Sequence, residues 1–161
     1  MLMLSSCAIK KQDEGRDFST YPIELRAKVN FDGKDHEILY RQNGKDSLEI
    51  EFVTPEELST LRLTYDNGAC TLYCGDIIIP INDGGYACEN GILLIRKLFS
   101  VTPGDFIGAE TVKRSGINYC AEKYSLNGGE VRLYFGENED FPDIAEAQIN
   151  GHTIEMVIVN E

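Results

Sequence analysis

Apolar and polar residues alternate along much of the chain, and this alternation predicts β-strands. In residues 23–31 every odd position is apolar and every even position is polar, and residues 48–52 also alternate, with the apolar residues at even positions. The pattern is typical of a strand that has one buried face and one solvated face. Residues 61–65 and 131–135 are similar. The chain is therefore predicted to be mostly β.

Turn signals separate the alternating stretches. Asn-Gly and Asp-Gly pairs favour the positive φ angles that tight hairpin turns require. Such pairs occur at positions 32–33, 43–44, 67–68, 83–84, 127–128 and 150–151. The last pair stands between residues 144–149 and 153–159, which predicts a terminal hairpin. The spacing indicates one large antiparallel sheet.

One segment is apolar on both faces. It contains Ile77, Ile79 and Ile81, with Ile78 and Pro80 between them. Two arrangements fit this composition. The segment is either a strand covered on both sides or an edge strand, because Pro80 removes a backbone donor from the hydrogen-bond ladder.

Two segments lack strand alternation and predict short helices. Residues 92–99, which include Leu94 and Leu98, are read as about two helical turns, with cationic residues near the C-terminal end where they suit the helix dipole. Residues 55–58 predict a helical turn with Thr54 as its N-cap. The fold class is thus mostly β (α+β), with one or two short helices on one antiparallel sheet.

Composition and charge narrow the function classes. The chain has 161 residues, which suits a single domain. It carries 15 Lys and Arg against 27 Asp and Glu, a formal net charge of −12. Such a surface repels phosphate backbones, so nucleic acid is not an expected partner. No run approaches the roughly 20 apolar residues that a membrane-spanning helix needs.

The N-terminus suggests a different route to the membrane. Leu4-Ser5-Ser6-Cys7 resembles the bacterial lipobox, in which a peptidase cleaves before an invariant Cys that becomes lipidated. The resemblance implies a diacylglycerol anchor on Cys7 and an extracytoplasmic domain held at the cell membrane. An acyl chain contributes about 0.8 kcal/mol per buried CH₂ to such anchoring.

The same motif divides the chain into three expected parts. Residues 1–6 are the remainder of a signal peptide, residues 7–19 are the lipidated Cys and a polar, flexible tether, and residues 20–161 form a single β domain. A signal peptide needs a basic region and an apolar stretch of about 7–15 residues. Only six residues precede Cys7 and none is basic, so we expect the natural leader to be longer. The alternative is a cytosolic protein with a chance Cys near its start.

The order of elements resembles the Lol-type lipoprotein carriers, a family of incomplete β-barrels that includes small envelope lipoproteins of Gram-positive bacteria and a clostridial spore-germination lipoprotein. The resemblance covers residues 20–161 as a pattern. It is carried by a strand that ends in a proline turn, by the middle helix, by a C-terminal strand pair and by the closing strand, at residues 52–58, 92–99, 141–151 and 157–160.

This resemblance implies a strongly curved antiparallel sheet with short helices on its concave side. It also implies a non-enzymatic protein that needs no cofactor and binds an acyl chain, a lipoprotein-type ligand or an envelope protein. The candidate ligand-binding residues are Ile77, Ile79, Ile81, Leu94 and Leu98. The alternatives are that these residues simply fill the core, and that the protein is an interaction or chaperone-like module without a ligand cavity.

Four cysteines remain after Cys7, namely Cys70, Cys74, Cys88 and Cys120. In an extracytoplasmic chain they could form two disulfides, with Cys74 and Cys88 as one candidate pair across a turn. The favoured alternative is four free, half-buried thiols, which pack as small apolar groups. No metal site is expected, because the cysteine spacing is not that of a zinc knuckle and the two histidines lie far away in sequence.

No motif for catalysis is present. The chain has no Gly-x-Ser-x-Gly elbow, and no local sequence supports a Cys120–His152 pair. Outward carboxylates such as Glu49 and Glu51 are typical of a solvated strand face. An enzyme is therefore not expected.

Overall fold

The computed structural model describes residues 15–18, 21–81 and 91–159. Over these residues it contains eleven β-strands and three short 3₁₀ helices. The strands are β1 Ile23–Phe31, β2 Lys34–Gly44, β3 Ser47–Thr54, β4 Leu61–Asp66, β5 Ala69–Cys74, β6 Ile77–Ile81, β7 Phe106–Arg114, β8 Ile117–Leu126, β9 Gly129–Phe135, β10 Ile144–Ile149 and β11 His152–Val159. The helices are η1 Glu56–Leu58, η2 Ile92–Phe99 and η3 Pro103–Asp105.

All eleven strands belong to one antiparallel sheet with the order β6-β5-β4-β3-β2-β1-β11-β10-β9-β8-β7. The first and last strands of the chain pair in the middle of the sheet, where Ala27 lies opposite Ile158. Every other neighbour pair is a hairpin or a short connection between consecutive strands. The sheet does not close on itself, so β6 and β7 are its two edges. The predicted mostly β fold with one large antiparallel sheet is confirmed.

The sheet bends around η2. Arg96 of η2 stacks over Tyr65 of β4, with its guanidinium carbon 4.4 Å from the ring centre, and η2 also contacts β10. Because five inter-strand steps separate β4 from β10, these strands would lie about 24 Å apart in a flat sheet. One hydrophobic cluster contains the inward side chains of both halves together with η2. The helix therefore fills the concave side.

Two local predictions need correction. Residues 77–81 form the edge strand β6, and the reading as a strand covered on both sides is wrong, because Ile77 and Ile78 keep 61% and 63% of their surface exposed. The helical turn at residues 55–58 is present as η1, but Thr54 is not its N-cap. The cap position is Pro55, in extended backbone, and no side chain caps the turn.

The segment before β1 packs on the sheet. The Arg16 Nε atom lies 3.0 Å from Glu122 Oε1, a buried carboxylate on β8, and the Arg16 guanidinium lies 3.7 Å above the ring of Phe135. Phe18 is buried between Phe99 and Phe135, with ring centres 6.3 and 6.2 Å away. These residues are the described part of the predicted tether. Cys7 and residues 8–14 lie outside the described residues.

No helix in the described part of the chain is long and apolar enough to cross a membrane.

Candidate functional site

An apolar surface covers the concave face of β4, β5 and β6, and we call it the apolar shelf. Its members are aliphatic side chains that share one face of these three strands, namely Leu61, Leu63, Leu72, Ile77, Ile79 and Ile81. The strand register explains their grouping. Leu63 lies opposite Leu72, which lies opposite Ile79, and directly paired residues point to the same side of a sheet.

The neighbouring core residues show that the shelf lies on the concave, core-facing side of the sheet. Tyr65 of β4 and Cys70 of β5 are paired, and both are buried in the main hydrophobic cluster. Side chains two positions along a strand share its face, so the shelf residues continue that buried face toward the edge. Exposure rises along this row from Ile50 of β3, at 0%, to Ile79, at 45%. The concave face thus remains apolar as it reaches solvent.

The structure divides the five predicted ligand-binding residues into two groups. Ile77 and Ile79 are exposed on the shelf, and Ile81 is partly buried at the end where the shelf meets the core. Leu94 and Leu98 are both 0% exposed and lie inside the core on η2. The two groups therefore occupy different environments, and only the shelf group presents surface to a ligand.

The helix side of the concavity is filled by aromatic packing. The ring of Phe99 meets Tyr40 of β2 at 5.7 Å and Phe141 at 5.2 Å between centres. A polar cluster lies beside these rings, where the Tyr40 hydroxyl donates to the Gln42 amide oxygen and the Gln42 amide nitrogen lies 3.4 Å from Ser100 Oγ. Burial raises the pKa of Tyr40 well above its usual value, so this hydroxyl stays a donor.

Two grooves on the surface of residues 15–18, 21–81 and 91–159 have no shelf residue in their lining. The larger has a volume of about 470 Å³ and crosses β9, β10 and β11, where Glu130, Arg132 and Glu146 are among its lining residues. The smaller, of about 180 Å³, crosses β1, β2 and β3 beside Arg41 and Glu49. Their charged linings do not suit an acyl chain. The apolar shelf is therefore the best candidate for apolar binding.

Ion pairs hold the charges of the larger groove in place. Glu146 and Glu155 lie directly opposite each other on β10 and β11. Arg114 of β7 donates to both, at 2.7 and 2.9 Å. The two carboxylates raise the pKa of Arg114 even though desolvation opposes the charge. These contacts make the cluster a network of ion pairs in which Arg114 joins two carboxylates.

The cysteines differ from both sequence-based alternatives. Cys70 is disulfide-bonded, whereas Cys74 and Cys120 are free thiols that are partly buried. The expectation of four free thiols is therefore wrong at Cys70, and the candidate Cys74–Cys88 pair is wrong because Cys74 is free. Cys88 lies outside the described residues. Burial raises the pKa of the Cys120 thiol, and nearby Glu122 adds to the effect, so it is a poor nucleophile at neutral pH.

Metal-ligating side chains do not assemble in the described ranges, where no group of three or more His, Cys, Asp or Glu could hold an ion. His152, the first residue of β11, pairs at 2.6 Å with Asp32, which lies in the turn between β1 and β2. This pair is structural, because Asp32 also accepts the backbone N–H of Thr153 at 2.9 Å. The two hydrogen bonds lower the pKa of Asp32.

Sequence reasoning missed half of the shelf. Leu61, Leu63 and Leu72 were not proposed as site residues, although a signal for them exists. The Asn67-Gly68 turn fixes the β4–β5 register, and that register places Leu72 opposite Leu63. The face they share with Ile79 could have been read from the alternation of the two strands.

Comparison with known proteins yields structural neighbours only. No protein-family model matches the chain, and no curated protein matches its sequence significantly. A LolA-superfamily protein from Nitrosomonas europaea is similar in structure, with a TM-score of 0.49 and 7% identity over 89% of this chain and 86% of that one. The lipoprotein LppX of Mycobacterium tuberculosis gives a TM-score of 0.48 and 8% identity over 88% and 87%. This likeness assigns no role to any residue of the chain.

Proposed function

We propose that this protein is a non-catalytic, membrane-anchored binding protein of the bacterial cell envelope that holds an acyl chain or a lipoprotein-type ligand on the apolar shelf. One observation carries the proposal. The aliphatic face of β4, β5 and β6 has no charged side chain and runs from the buried core to an exposed edge. Contiguous exposed apolar patches of this kind mark interaction sites.

The anchor in this proposal is Cys7, which lies outside the described residues. Two features support it. The Leu4-Ser5-Ser6-Cys7 sequence offers the small residues and the thiol that lipidation requires, and the disulfide at Cys70 suits an oxidising, extracytoplasmic compartment. In cells fed labelled palmitate, we expect the wild-type protein to carry label and the Cys7→Ala variant to carry none. Label that persists in the variant contradicts the anchor.

The shelf is tested with a fluorescent acyl-chain probe and two matched variants. Ile79→Glu places a charge in the middle of the shelf, whereas Ile107→Glu places the same charge on β7, where Ile107 is similarly exposed at 57%. Burying an unpaired carboxylate against an acyl chain is unfavourable by several kcal/mol. We expect Ile79→Glu to weaken probe binding at least about tenfold and Ile107→Glu to leave it unchanged.

Both variants change exposed residues, so circular dichroism and thermal melting should show that each folds as the wild type does. Equal probe binding by the wild type and Ile79→Glu contradicts the shelf as the binding site. Equal loss in both variants contradicts it as well, because the effect then follows net charge rather than position.

A second candidate function is supported by the filled core. Leu94 and Leu98 are fully buried, and the two surface grooves have charged linings. This packing favours a protein-interaction or chaperone-like module that uses its surface and holds no lipid. Organic extraction of protein purified from its native membrane separates the two functions. Stoichiometric lipid supports the carrier, and protein free of extractable lipid that still binds an envelope protein supports the module.

A further inference from the structure

The strands that form the apolar shelf belong to an acidic stretch of the chain. Between Asp46 and Ile81 there are seven carboxylates and one cationic side chain, Arg62. The net charge of this stretch is 1 − 7 = −6, which is half of the total of −12. The shelf itself is uncharged, Glu49 and Glu51 lie on the opposite face of β3, and the other five carboxylates lie at the two ends of the shelf.

Three exposed carboxylates lie at one end of the shelf. Glu56 and Glu57 are on η1, directly before β4, and Asp76 is in the turn between β5 and β6. The backbone N–H of Gly75 donates to the carbonyl of Thr60 at 3.3 Å, which holds this turn beside the η1–β4 connection. The register then places this end next to Leu61 and Ile77.

Two more carboxylates lie at the opposite end. Asp66 closes β4, and Asp46 is in the turn before β3; both are exposed. The Asn67 N–H donates to the Asp46 carbonyl at 2.9 Å, so the two turns are adjacent. Two cations lie near this end, Lys45 in the turn before β3 and Arg96 of η2, whose guanidinium stacks over Tyr65 beside Asp66. The ends of the shelf therefore carry five carboxylates against two cations.

The guanidinium of Arg62 faces away from the shelf. Arg62 alternates with Leu61 and Leu63 along β4 and so points to the convex side. There it lies over the ring of Tyr73 at 4.3 Å and pairs with Glu49 at 3.5 Å. It cannot neutralise the carboxylates at the shelf ends.

We infer that the shelf binds an apolar segment of another protein that is flanked by Lys or Arg residues. This inference rests on the proposed role of the shelf as a binding surface, and it selects a protein segment rather than a free lipid as the occupant. The aliphatic centre favours apolar side chains, and carboxylates at both ends attract cations within the screening length of about 8–10 Å at physiological salt. The same carboxylates repel the head group of a free fatty acid or an anionic phospholipid.

The strand edge adds a geometric limit. Pro80 offers no backbone donor and is the last of the four exposed residues of β6. A long added strand would meet this gap, so side-chain packing on the concave face carries the contact. The occupant is therefore an apolar segment laid across Leu63, Leu72 and Ile79.

The test uses two fluorescent peptides that share one Leu-rich centre and differ only at their ends, one with pairs of Lys and one with pairs of Glu. Fluorescence anisotropy of each peptide, titrated with the full chain, gives both affinities. We expect the Lys-flanked peptide to bind about tenfold or more tightly than the Glu-flanked peptide. The preference should shrink in about 0.5 M NaCl, because salt screens the rim.

Two triple variants test which carboxylates cause the preference for the Lys-flanked peptide. Glu56→Gln, Glu57→Gln and Asp76→Asn together neutralise one end of the shelf. Glu137→Gln, Glu139→Gln and Asp140→Asn remove the same charge from an exposed loop between β9 and β10. We expect the first triple variant to lose most of the preference for Lys ends and the second to keep it.

Equal affinity for the two peptides overturns the inference while leaving an apolar shelf intact. Binding of the acyl probe with no binding of either peptide overturns it too, and so does tighter binding to vesicles of anionic phospholipid than to the Lys-flanked peptide. Failure of both the acyl probe and the peptides to bind instead contradicts the proposed function itself.

Discussion

The two edges of the sheet are built in opposite ways. β6 consists of four isoleucines and a proline, and it presents no charge to solvent. β7 is longer, carries Glu110, Lys113 and Arg114, and has a register irregularity between Phe106 and Gly108. The sequence around each edge differs in charge in the same way. Residues 106–126 contain three cations and two carboxylates, whereas residues 46–81 contain one cation and seven carboxylates.

This difference means that β7 is protected against pairing with another chain, whereas the side chains of β6 are available for contact with another molecule. Charged side chains and bulges on an edge strand discourage pairing with other chains, and β7 has both. β6 has only Pro80, which interrupts strand pairing but leaves the aliphatic side chains exposed. Ile77, Ile78 and Ile79 of β6 stay exposed, because η2 and the inner strands close the core without them. The comparison therefore indicates that β6 and its concave neighbours serve contact with another molecule.

The largest expected effect is on the free energy of unfolding, which should fall when a core residue is truncated and hardly change when a shelf residue is truncated. Leu98→Ala removes a fully buried side chain from η2 and should lower the free energy of unfolding by about 2–5 kcal/mol. Ile77→Ala changes an exposed shelf residue and should alter it by less than about 0.5 kcal/mol. Urea denaturation measures both. Equal losses would mean that the shelf is part of the core, and the distinction between the two groups would fail.

A smaller loss in the free energy of unfolding is expected when an ion pair on the β7 side of the sheet is removed. Arg16→Ala leaves the fully buried Glu122 without its cation, although the Tyr124 hydroxyl still donates to this carboxylate. We expect a loss of about 2–3 kcal/mol. Arg26→Ala, which breaks the more exposed pair with Glu37, is the matched control and should lose less than about 1 kcal/mol. A reversed order would contradict the packing of the N-terminal segment.

The role of Pro80 can be examined by restoring a strand-forming residue. Pro80→Val turns β6 into a continuous aliphatic edge, which favours pairing with a second copy. Sedimentation velocity should show concentration-dependent association of this variant. Adding Ile78→Lys to it should suppress this association, because a charged edge opposes pairing. A monomeric Pro80→Val protein would show that Pro80 does not limit pairing at this edge.

The smallest effect concerns a charge pair at the β7 edge. The Lys123 ammonium lies 2.7 Å from Glu110 and lowers the pKa of that carboxyl. A lowered pKa means that the pair stabilises the fold above the pKa of Glu110 in the unfolded chain, and that this contribution disappears as the pH falls through the lowered value. In Lys123→Met, NMR titration should find the pKa of Glu110 closer to its ordinary value. The pKa of Asp32, which depends on His152, should not change.

Much of the sheet follows from local sequence because its strands have one wet face. Residues 23–31 alternate strictly and form β1 with those bounds, and the Asn150-Gly151 turn joins β10 to β11 as predicted. β7 was not predicted, because an edge strand with exposed residues on both faces shows no alternation. The helix at residues 92–99 was predicted from the absence of alternation, and it forms as a 3₁₀ helix.

The site was harder to predict because burial depends on curvature. Leu98 and Ile79 are both aliphatic residues in apolar runs, yet one lies inside the bend of the sheet and the other at its rim. No local pattern distinguishes them. The Arg16–Glu122 pair joins residues 106 positions apart. The disulfide at Cys70 likewise could not be predicted from the spacing of the cysteines along the sequence. Such contacts form only when the whole sheet is assembled.

The central claim is that binding takes place at the β6 side of the sheet, and amide hydrogen exchange measured with and without the Lys-flanked peptide tests it most directly. We predict slower exchange in residues 61–81 when the peptide is bound, with residues 106–114 unchanged. Protection confined to β7, or faster exchange in η2 as the core opens, would contradict the account.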